Sequence, residues 1–206
     1  MPVAPLTESE RARIIAAIRA AEANTAGEIY VVVARESDDF RFVPILWAAL
    51  VALLIPWPLH LLTYWSTSII LVLQVLTFVL IAVIASHSAL RHRIVPESIA
   101  ADAARKAAVA QFLAHGVHLT ESRTGVLIFV ALADRRVEIV ADAGIDRKVE
   151  AGAWDALTRD IIVAARGGAL ADGLVTAVQR AGLLLSRHCP PVPVDKNELP
   201  DRVVEI

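Results

Sequence analysis

At positions 122–145 the chain reads SRTGVLIFVALADRRVEIVADAGI, in which two apolar runs are joined by a charged turn. The runs VLIFVAL at 126–132 and VEIVA at 137–141 are rich in the β-branched residues that strands favour. The short stretch ADRR between them leaves room only for a tight connection. We therefore predict that the two runs pair antiparallel as a β-hairpin.

A third apolar run, EIYVVVA at 28–34, lies far upstream of this hairpin. It is β-branched and apolar almost throughout, which is typical of a strand buried on both faces of a sheet. We expect a central strand that runs parallel to 126–132, because a long connection separates the two.

Helical patterns flank these strands. Thr7 and Glu10 form a capping-box pattern before an isoleucine stripe. Helices are predicted at 6–23, 96–114, 146–166 and 171–188. This order of elements predicts an α/β fold with a small mixed sheet. The proline-rich tail at 189–206 is predicted to be extended and mobile.

A long uncharged segment interrupts this fold. No Asp, Glu, Lys or Arg occurs from Phe42 to Leu90, and 56% of the whole chain is hydrophobic. Since one crossing of a bilayer takes about 20 apolar residues, the segment predicts a transmembrane hairpin with helices at about 43–62 and 66–86. It carries none of the charged residues that mark ion pathways, so an anchor is favoured over a transporter.

The flanks of the hairpin predict its orientation. Arg35 and Arg41 precede it, and Arg91, His92 and Arg93 follow it, whereas the tip between the two helices has no Lys or Arg. By the positive-inside rule, both termini and the polar part of the chain are predicted to be cytoplasmic. The N-terminus lacks the pattern of a cleavable secretory signal, so the first crossing is expected to target the chain to the membrane.

The polar segments on either side of the hairpin are predicted to form one domain. One strand with one helix buries too little apolar surface to fold alone. Residues 6–41 and 91–188 are therefore expected to dock together, with the hairpin at 42–90 inserted between them and 189–206 as a tail.

Composition and missing motifs exclude several functions. A net charge of −2 gives no basic field for nucleic acid. The single cysteine, Cys189, excludes an internal disulfide and a CxxC motif. The chain has no Cys-x5-Arg, DxDxT or HExxH motif, and GGALADG at 167–173 lacks the Lys-Ser/Thr of a P-loop. No sequence feature demonstrates catalysis.

The predicted topology gathers polar residues at the membrane-distal end of the sheet. They are Glu28, Arg123, Thr124, Asp142 and Asp146. The carboxylates of Glu28, Asp142 and Asp146 are candidate ligands for a hard cation such as Ca²⁺ or Mg²⁺, with Arg123 as a salt-bridge or phosphate partner. Alternatively, a salt bridge from Arg123 to Glu28 or Asp142 only ties the strand ends together.

The opposite end of the sheet is predicted to face the bilayer. Asp134, Arg135 and Arg136 form the turn of the β-hairpin there, and Ser37, Asp38 and Asp39 follow the first strand. The two arginines are expected to meet anionic lipid headgroups. Asp134 and Asp142 are too far apart to bind one ion, because about six strand residues separate them.

Several of these stretches together resemble the TPM domain. They are GEIYVVVA at 27–34, RTGVLIFVALADRRVEIVADAGI at 123–145 with its D-x-G-I at 142–145, Trp154, and GLVTAVQRAGLLL at 173–185. The resemblance covers 6–35 and 97–188, and the pattern closely resembles bacterial membrane-anchored members with a hairpin after the first strand. It implies a three-layer α/β/α sandwich in the inner membrane of a bacterium. Many relatives place this domain on the outer side of a membrane, and the charge pattern here departs from that.

Two functional hypotheses follow. Some relatives are linked to assembly or repair of membrane complexes, which implies a non-catalytic accessory or quality-control module that binds a membrane protein. Other relatives are linked to acid phosphatase activity or to divalent-cation binding. They imply a weak metal-dependent phosphatase, or a cation-binding domain, at the end of the sheet that carries Glu28 and Asp142.

Overall fold

The computed structural model describes residues 6–38, 40, 42–87, 94–191 and 198–206. The chain divides into two units: one is formed by the segments up to Ser37 and from Ala101 onward, and the other runs from Asp38 to Ala100. The helices are α1 (Glu8–Glu22), α2 (Phe42–Leu54), α3 (Pro56–Leu62), α4 (Thr67–Ala85), α5 (Glu97–Ala114), α6 (Ala143–Asp146), α7 (Ala153–Arg166) and α8 (Leu170–His188), with a 3-10 turn at Val117–Leu119.

Strands from the described part of the first unit form a mixed sheet. They are β1 (Ile29–Ala34), β2 (Val126–Ala131), β3 (Arg136–Ala141) and β4 (Val203–Glu205), in the order β3-β2-β1-β4. β1 runs parallel to β2, with Ile29 opposite Val126, and β2 runs antiparallel to β3, with Val126 opposite Ala141. The predicted β-hairpin and the predicted central position of β1 are therefore confirmed.

The edge strand β4 lies in the stretch predicted to be an extended and mobile tail. It lies beside β1 and runs parallel to it, with Val32 opposite Val204. The tail is extended at 203–205, where the open edge of β1 supplies hydrogen-bonding partners to this β-branched stretch, and its mobility stays a prediction. Residues 192–197 of the predicted tail lie outside the described residues.

The sheet lies between two layers of helices. Side chains alternate along β1, so Val31 packs into a core with Ile18 of α1 and Leu174 of α8. Val32 packs into the opposite core with Phe112 of α5. All six residues of β1 are buried, as a central strand covered on both faces requires. The three-layer α/β/α architecture implied by the sequence is thus confirmed.

The helix boundaries mostly follow the predictions, with one break. The capping box of α1 is present: Glu10 N donates to Thr7 Oγ1 at 3.3 Å, and Thr7 N donates to Glu10 Oε2 at 2.8 Å. The single helix predicted at 146–166 is wrong, because α6 and α7 are separate. α6 ends at Asp146, and Gly152, the residue before α7, has a φ of +84°, a left-handed conformation that a continuous helix does not contain.

The second unit contains an apolar helical hairpin. α2 packs along α4, and small side chains such as Ala48 and Ala52 are buried in α2. Two helical stretches, Phe42–Leu62 and Thr67–Ala85, are long and apolar enough to cross a membrane, with mean hydropathies of 2.1 and 2.9. The helix predicted at 43–62 is divided into α2 and α3 at Pro56, whose ring lacks the N–H that a continuous helix needs.

Most of the hairpin surface is apolar and exposed. Only 22% of the first stretch and 11% of the second is buried, and Leu61 and Val83 are among the many large side chains left exposed. A surface of this kind is costly in water. The basic residues Arg41, Arg91, His92 and Arg93, which predict the orientation, lie outside the described residues, so the orientation stays a prediction.

Candidate functional site

The starts of β1 and β2 and the end of β3 meet at one end of the sheet. The carbonyl oxygen of Glu28 accepts a hydrogen bond from Val126 N at 2.8 Å, and Asp142 N donates to Gly125 O at 2.9 Å. Glu28 and Asp142 therefore flank Gly125 on its two neighbouring strands, with their backbones about 10 Å apart at the usual strand spacing. The predicted acidic pair shares this end of the sheet.

Asp142 is a buried carboxylate that the protein itself neutralises. Its side chain is only 4% exposed. Its Oδ1 accepts a hydrogen bond from Ala143 N at 2.6 Å and another from Arg123 Nε at 3.2 Å, and Arg123 Nε lies 3.4 Å from Oδ2. Asp142 is thus engaged by a backbone N–H and by an arginine whose side chain is mostly in solvent.

The D-x-G-I stretch is explained by packing against the segment before β2. Asp142 caps α6, and Ile145 is fully buried beneath it. A Cβ on Gly144 would lie 2.4 Å from Arg123 O and 2.5 Å from Ser122 O. Only glycine allows this approach, which also lets Gly144 N donate to Arg123 O at 3.1 Å.

Two buried threonines fix the segment before β2. Thr124 Oγ1 donates to Ala26 O, and Thr124 N donates to Thr120 Oγ1, both at 3.1 Å. Gly125 follows, where a Cβ would lie 2.3 Å from Val117 O. The backbone on which Arg123 sits is therefore tied to neighbouring segments and holds the arginine beside β3.

The C-terminal segment of the chain covers Glu28. Glu28 is 7% exposed, and its Oε1 accepts a hydrogen bond from Glu198 N at 3.0 Å. The Glu198 side chain makes a further contact, since its Oε2 accepts a hydrogen bond from Glu121 N at 2.9 Å. Sequence reasoning missed Glu198, because no local pattern links it to a residue so far away.

Comparisons with known proteins agree with this architecture. A family model for the TPM domain matches residues 81–183, which is half of the chain. The chain belongs to the TPM domain family. It is also similar to the NMR structure of the BA42 protein from the psychrophilic bacterium Bizionia argentinensis, with 23% identity and a TM-score of 0.62 over 97% of this chain and 94% of that one. That likeness shows the fold alone. Comparison with curated proteins gives no match.

A further acid of the TPM domain, the half-buried Glu22, was missed by the sequence analysis. Its Oε1 accepts a hydrogen bond from Ile29 N at 2.8 Å. Burial, with smaller contributions from Glu28 and Asp201, raises the pKa of Glu22 to about 8, against the effect of the Ile29 bond. The signal was its position four residues after Ile18, which places it on the buried side of α1.

The predicted metal ligands do not form a cation cage with their neighbours. Within the described residues there is no group of three or more His, Cys, Asp or Glu residues that could hold a metal ion. Asp146 is exposed in α6, where its backbone N donates to Asp142 O at 2.9 Å. Cation binding by Glu28, Asp142 and Asp146 stays a prediction.

The opposite end of the sheet is closed by the turn of the β-hairpin. Asp134 Oδ2 accepts a hydrogen bond from Ser37 N at 2.6 Å and a second from Ser37 Oγ. Arg135 has a φ of +54°, which makes the turn tight. Asp134 thus ties the turn to the segment after β1. The contact of Arg135 and Arg136 with lipid headgroups stays a prediction, and Asp39 lies outside the described residues.

Proposed function

We propose that this TPM domain is a non-catalytic interaction module, tethered to a membrane by its apolar hairpin, with an accessory or quality-control role for membrane proteins. The supporting observation is that the polar groups at the sheet end bind one another. Asp142 is engaged by Arg123 and Ala143 N, and Glu28 accepts a bond from Glu198 N. A catalytic site instead needs polar groups that converge on a space for the reacting atom.

Calorimetric titration of Ca²⁺, Mg²⁺ and Mn²⁺ into the detergent-solubilised full chain tests this proposal. We expect no saturable heat and no turnover of a generic phosphate monoester, because a bound cation would have to displace Arg123 from Asp142. The variants Glu28→Gln and Asp142→Asn are measured beside Asp134→Asn, which alters a carboxylate at the other end of the β-hairpin.

Micromolar cation binding would contradict the proposal if it disappears in Glu28→Gln and Asp142→Asn but persists in Asp134→Asn. It would favour the second hypothesis, a cation-binding domain or a weak metal-dependent phosphatase. Binding that survives in all three variants would place the cation elsewhere and leave the sheet end as a structural cluster.

The tether is part of the same proposal. The length and apolar composition of Phe42–Leu62 and Thr67–Ala85 support two crossings of the bacterial inner membrane. The arginines before and after the hairpin in the sequence support a cytoplasmic location of the TPM domain and of both termini.

A further inference from the structure

The outer edge of β1 is occupied by residues 198–206, which we call the C-terminal segment. Ile206 N donates to Val33 O at 3.1 Å, and Arg35 N donates to Ile206 O at 2.7 Å. With Val204 opposite Val32, these bonds continue a parallel ladder along β1. The C-terminal segment therefore binds the domain as an added strand does.

Alternate side chains of the C-terminal segment contact α1. Arg19 Nε lies 3.0 Å from Asp201 Oδ2, and Arg11 Nη2 lies 2.7 Å from Glu205 Oε1. Val203, between the two acids, is buried in the core that includes residues of α1. This face of the β1 edge thus accepts an acidic residue, an apolar residue and a second acidic residue in alternate positions.

The intervening side chains contact the other face of the sheet. Arg202 Nε donates to Tyr30 Oη at 3.0 Å, and Tyr30 Oη lies 3.2 Å from Nδ1 of His115, on which the tyrosine ring stacks. Burial lowers the pKa of His115, so its neutral ring can accept a hydrogen bond from the tyrosine hydroxyl. Val204 packs on the same side. The edge therefore recognises both sets of alternate side chains.

The C-terminal segment is held by few buried contacts. Among its described residues only Val203 is buried, and β4 is three residues long, whereas β1 and β2 pair over six residues. Arg19 is 67% exposed, so water partly screens its ion pair with Asp201, whereas the pair of Arg11 with Glu205 is partly buried. A short strand at the edge of a sheet opens locally far more often than the whole domain unfolds.

Opening of the C-terminal segment uncovers an edge that readily accepts another strand. β1 is apolar along its whole length, and its outer N–H and C=O groups would lose their partners. The uncovered edge would keep Arg11 and Arg19 beside it. An extended segment can satisfy the backbone groups of β1 by strand addition, and its acidic side chains can pair with Arg11 and Arg19.

We propose that the outer edge of β1 is a strand-acceptor site for a partner protein, and that the C-terminal segment occupies it as a built-in competitor. The partner supplies an extended stretch with the pattern acid, any residue, β-branched residue, any residue, acid, as Asp201, Val203 and Glu205 do here. This inference rests on the proposed function, because it assigns the surface with which the interaction module binds.

The competitor sets the affinity that a partner needs. A segment tethered close to its own site has an effective concentration of about 1 mM or above. A partner stretch of equal intrinsic affinity therefore binds poorly until the C-terminal segment is loosened.

The test loosens the C-terminal segment in the full chain in detergent. Donors alternate along a strand, so Val204 N faces β1 as Ile206 N does, and Val204→Pro removes that donor. Val204→Ala is the matched control, since it shortens the side chain but keeps the donor. The probes are a fluorescent peptide with the sequence ELPDRVVEI, which copies 198–206, and the same peptide with alanine in place of its Asp and of the Glu next to the last residue.

We expect Val204→Pro to bind the ELPDRVVEI peptide at least tenfold more tightly than the wild type and the Val204→Ala variant do. The alanine peptide should bind at least tenfold more weakly, and adding Arg19→Ala to Val204→Pro should weaken binding of the acidic peptide. The proposal is overturned if Val204→Pro keeps its circular dichroism spectrum and still binds neither peptide, or binds both equally.

Hydrogen exchange of the wild-type protein keeps the proposal testable if Val204→Pro does not fold. We expect the amide of Ile206 to exchange at least tenfold faster than the amides of β2, because the C-terminal segment opens by itself. Equal protection of both would overturn the proposal.

Two further outcomes separate this proposal from its alternatives. A wild-type dimer that dissociates on addition of the peptide would assign the site to a second copy of the chain and overturn the partner proposed here. Failure of peptide binding would leave the proposed function standing on its own tests, because cation calorimetry and membrane topology do not use the β1 edge.

Discussion

Glu22 is a carboxylic acid on the buried side of α1, facing other acids. Its neighbours Glu28 and Asp201 are acidic, and the nearby Arg19 is paired with Asp201. With its pKa raised to about 8, Glu22 is protonated in the folded protein at neutral pH. It can then accept from Ile29 N at 2.8 Å while its own proton is shared with Asp201.

The pH dependence of stability follows from this residue. An acid whose pKa is raised on folding binds its proton more tightly in the folded state, so its contribution is fully present below pH 4.5. That contribution falls as the pH rises from about 4.5 to about 8, and is constant above. The free energy of unfolding should fall across this window by at most about 5 kcal/mol, and by less than that because Glu22 is only half-buried.

Thermal unfolding of wild type and Glu22→Gln at pH 5, 7 and 9, each in detergent, measures this effect. Glutamine keeps an oxygen for Ile29 N and a donor for Asp201 without a charge. The variant should lose stability less steeply with pH and exceed the wild type at pH 9. Parallel pH profiles for the two proteins would show that Glu22 is not the responsible group.

At the scale of elements, the junction of β3 and α6 depends on a close backbone contact. Because a Cβ at position 144 would meet two carbonyl oxygens, of Arg123 and Ser122, Gly144→Ala must displace backbone. We expect it to lower the free energy of unfolding by about 1–3 kcal/mol, as overpacking does. The salt bridge of Arg123 with Asp142 should loosen with it.

Gly167→Ala is the matched control for this substitution. Its Cβ would lie 3.4 Å from the nearest atom, Ala164 O, and its φ is −77°, which any residue adopts. The expected change is within about 0.5 kcal/mol. Chemical denaturation of both variants gives the comparison, and equal effects would refute the packing account of Gly144.

Elements with strong local signals were predicted from the sequence, and those without were missed. β1, β2 and β3 are β-branched runs bounded by turns, and the capping box of α1 is a local motif. β4 is three residues long and owes its conformation to the edge of β1, which no local window contains. The break between α6 and α7 was missed, although the left-handed conformation of Gly152 marks it in the structure.

The candidate site divides along the same line. The placement of Glu28 and Asp142 at one end of the sheet follows from the strand directions, because β1 and β2 run parallel and β3 runs back against β2. The groups that satisfy Glu28 come from Glu198, far along the chain, and the raised pKa of Glu22 comes from tertiary burial. Neither has a sequence pattern, because both arise from contacts between segments that are distant in the chain.

At the scale of the whole molecule, the orientation in the membrane can be tested by cysteine labelling. Burial raises the pKa of the Cys189 thiol, so the native cysteine should react slowly, and Cys189→Ala removes it entirely. In that background, Ser66→Cys lies between the two apolar stretches, and Glu121→Cys lies in an exposed segment before β2.

We expect a membrane-impermeant maleimide to label Ser66→Cys in cells with a permeabilised outer membrane, and to label Glu121→Cys only after the inner membrane is disrupted. This pattern corresponds to two crossings with the TPM domain in the cytoplasm. The reverse pattern would place the domain on the outer side. Labelling of both positions while the inner membrane is intact would exclude a hairpin that spans the bilayer.

The position of the hairpin within the fold also determines the order in which the sheet is assembled during synthesis. Ile29 of β1 pairs with Val126 of β2, so the ribosome adds 97 residues (126 − 29 = 97) between the two halves of that pair. At about 5–20 residues per second, β1 waits for roughly 5–20 s. Throughout that interval the apolar hairpin is synthesised while β1, an apolar strand of the TPM domain, has no partner strand. A chaperone that shields β1 would therefore be most useful to this protein after β1 is synthesised and before β2 is.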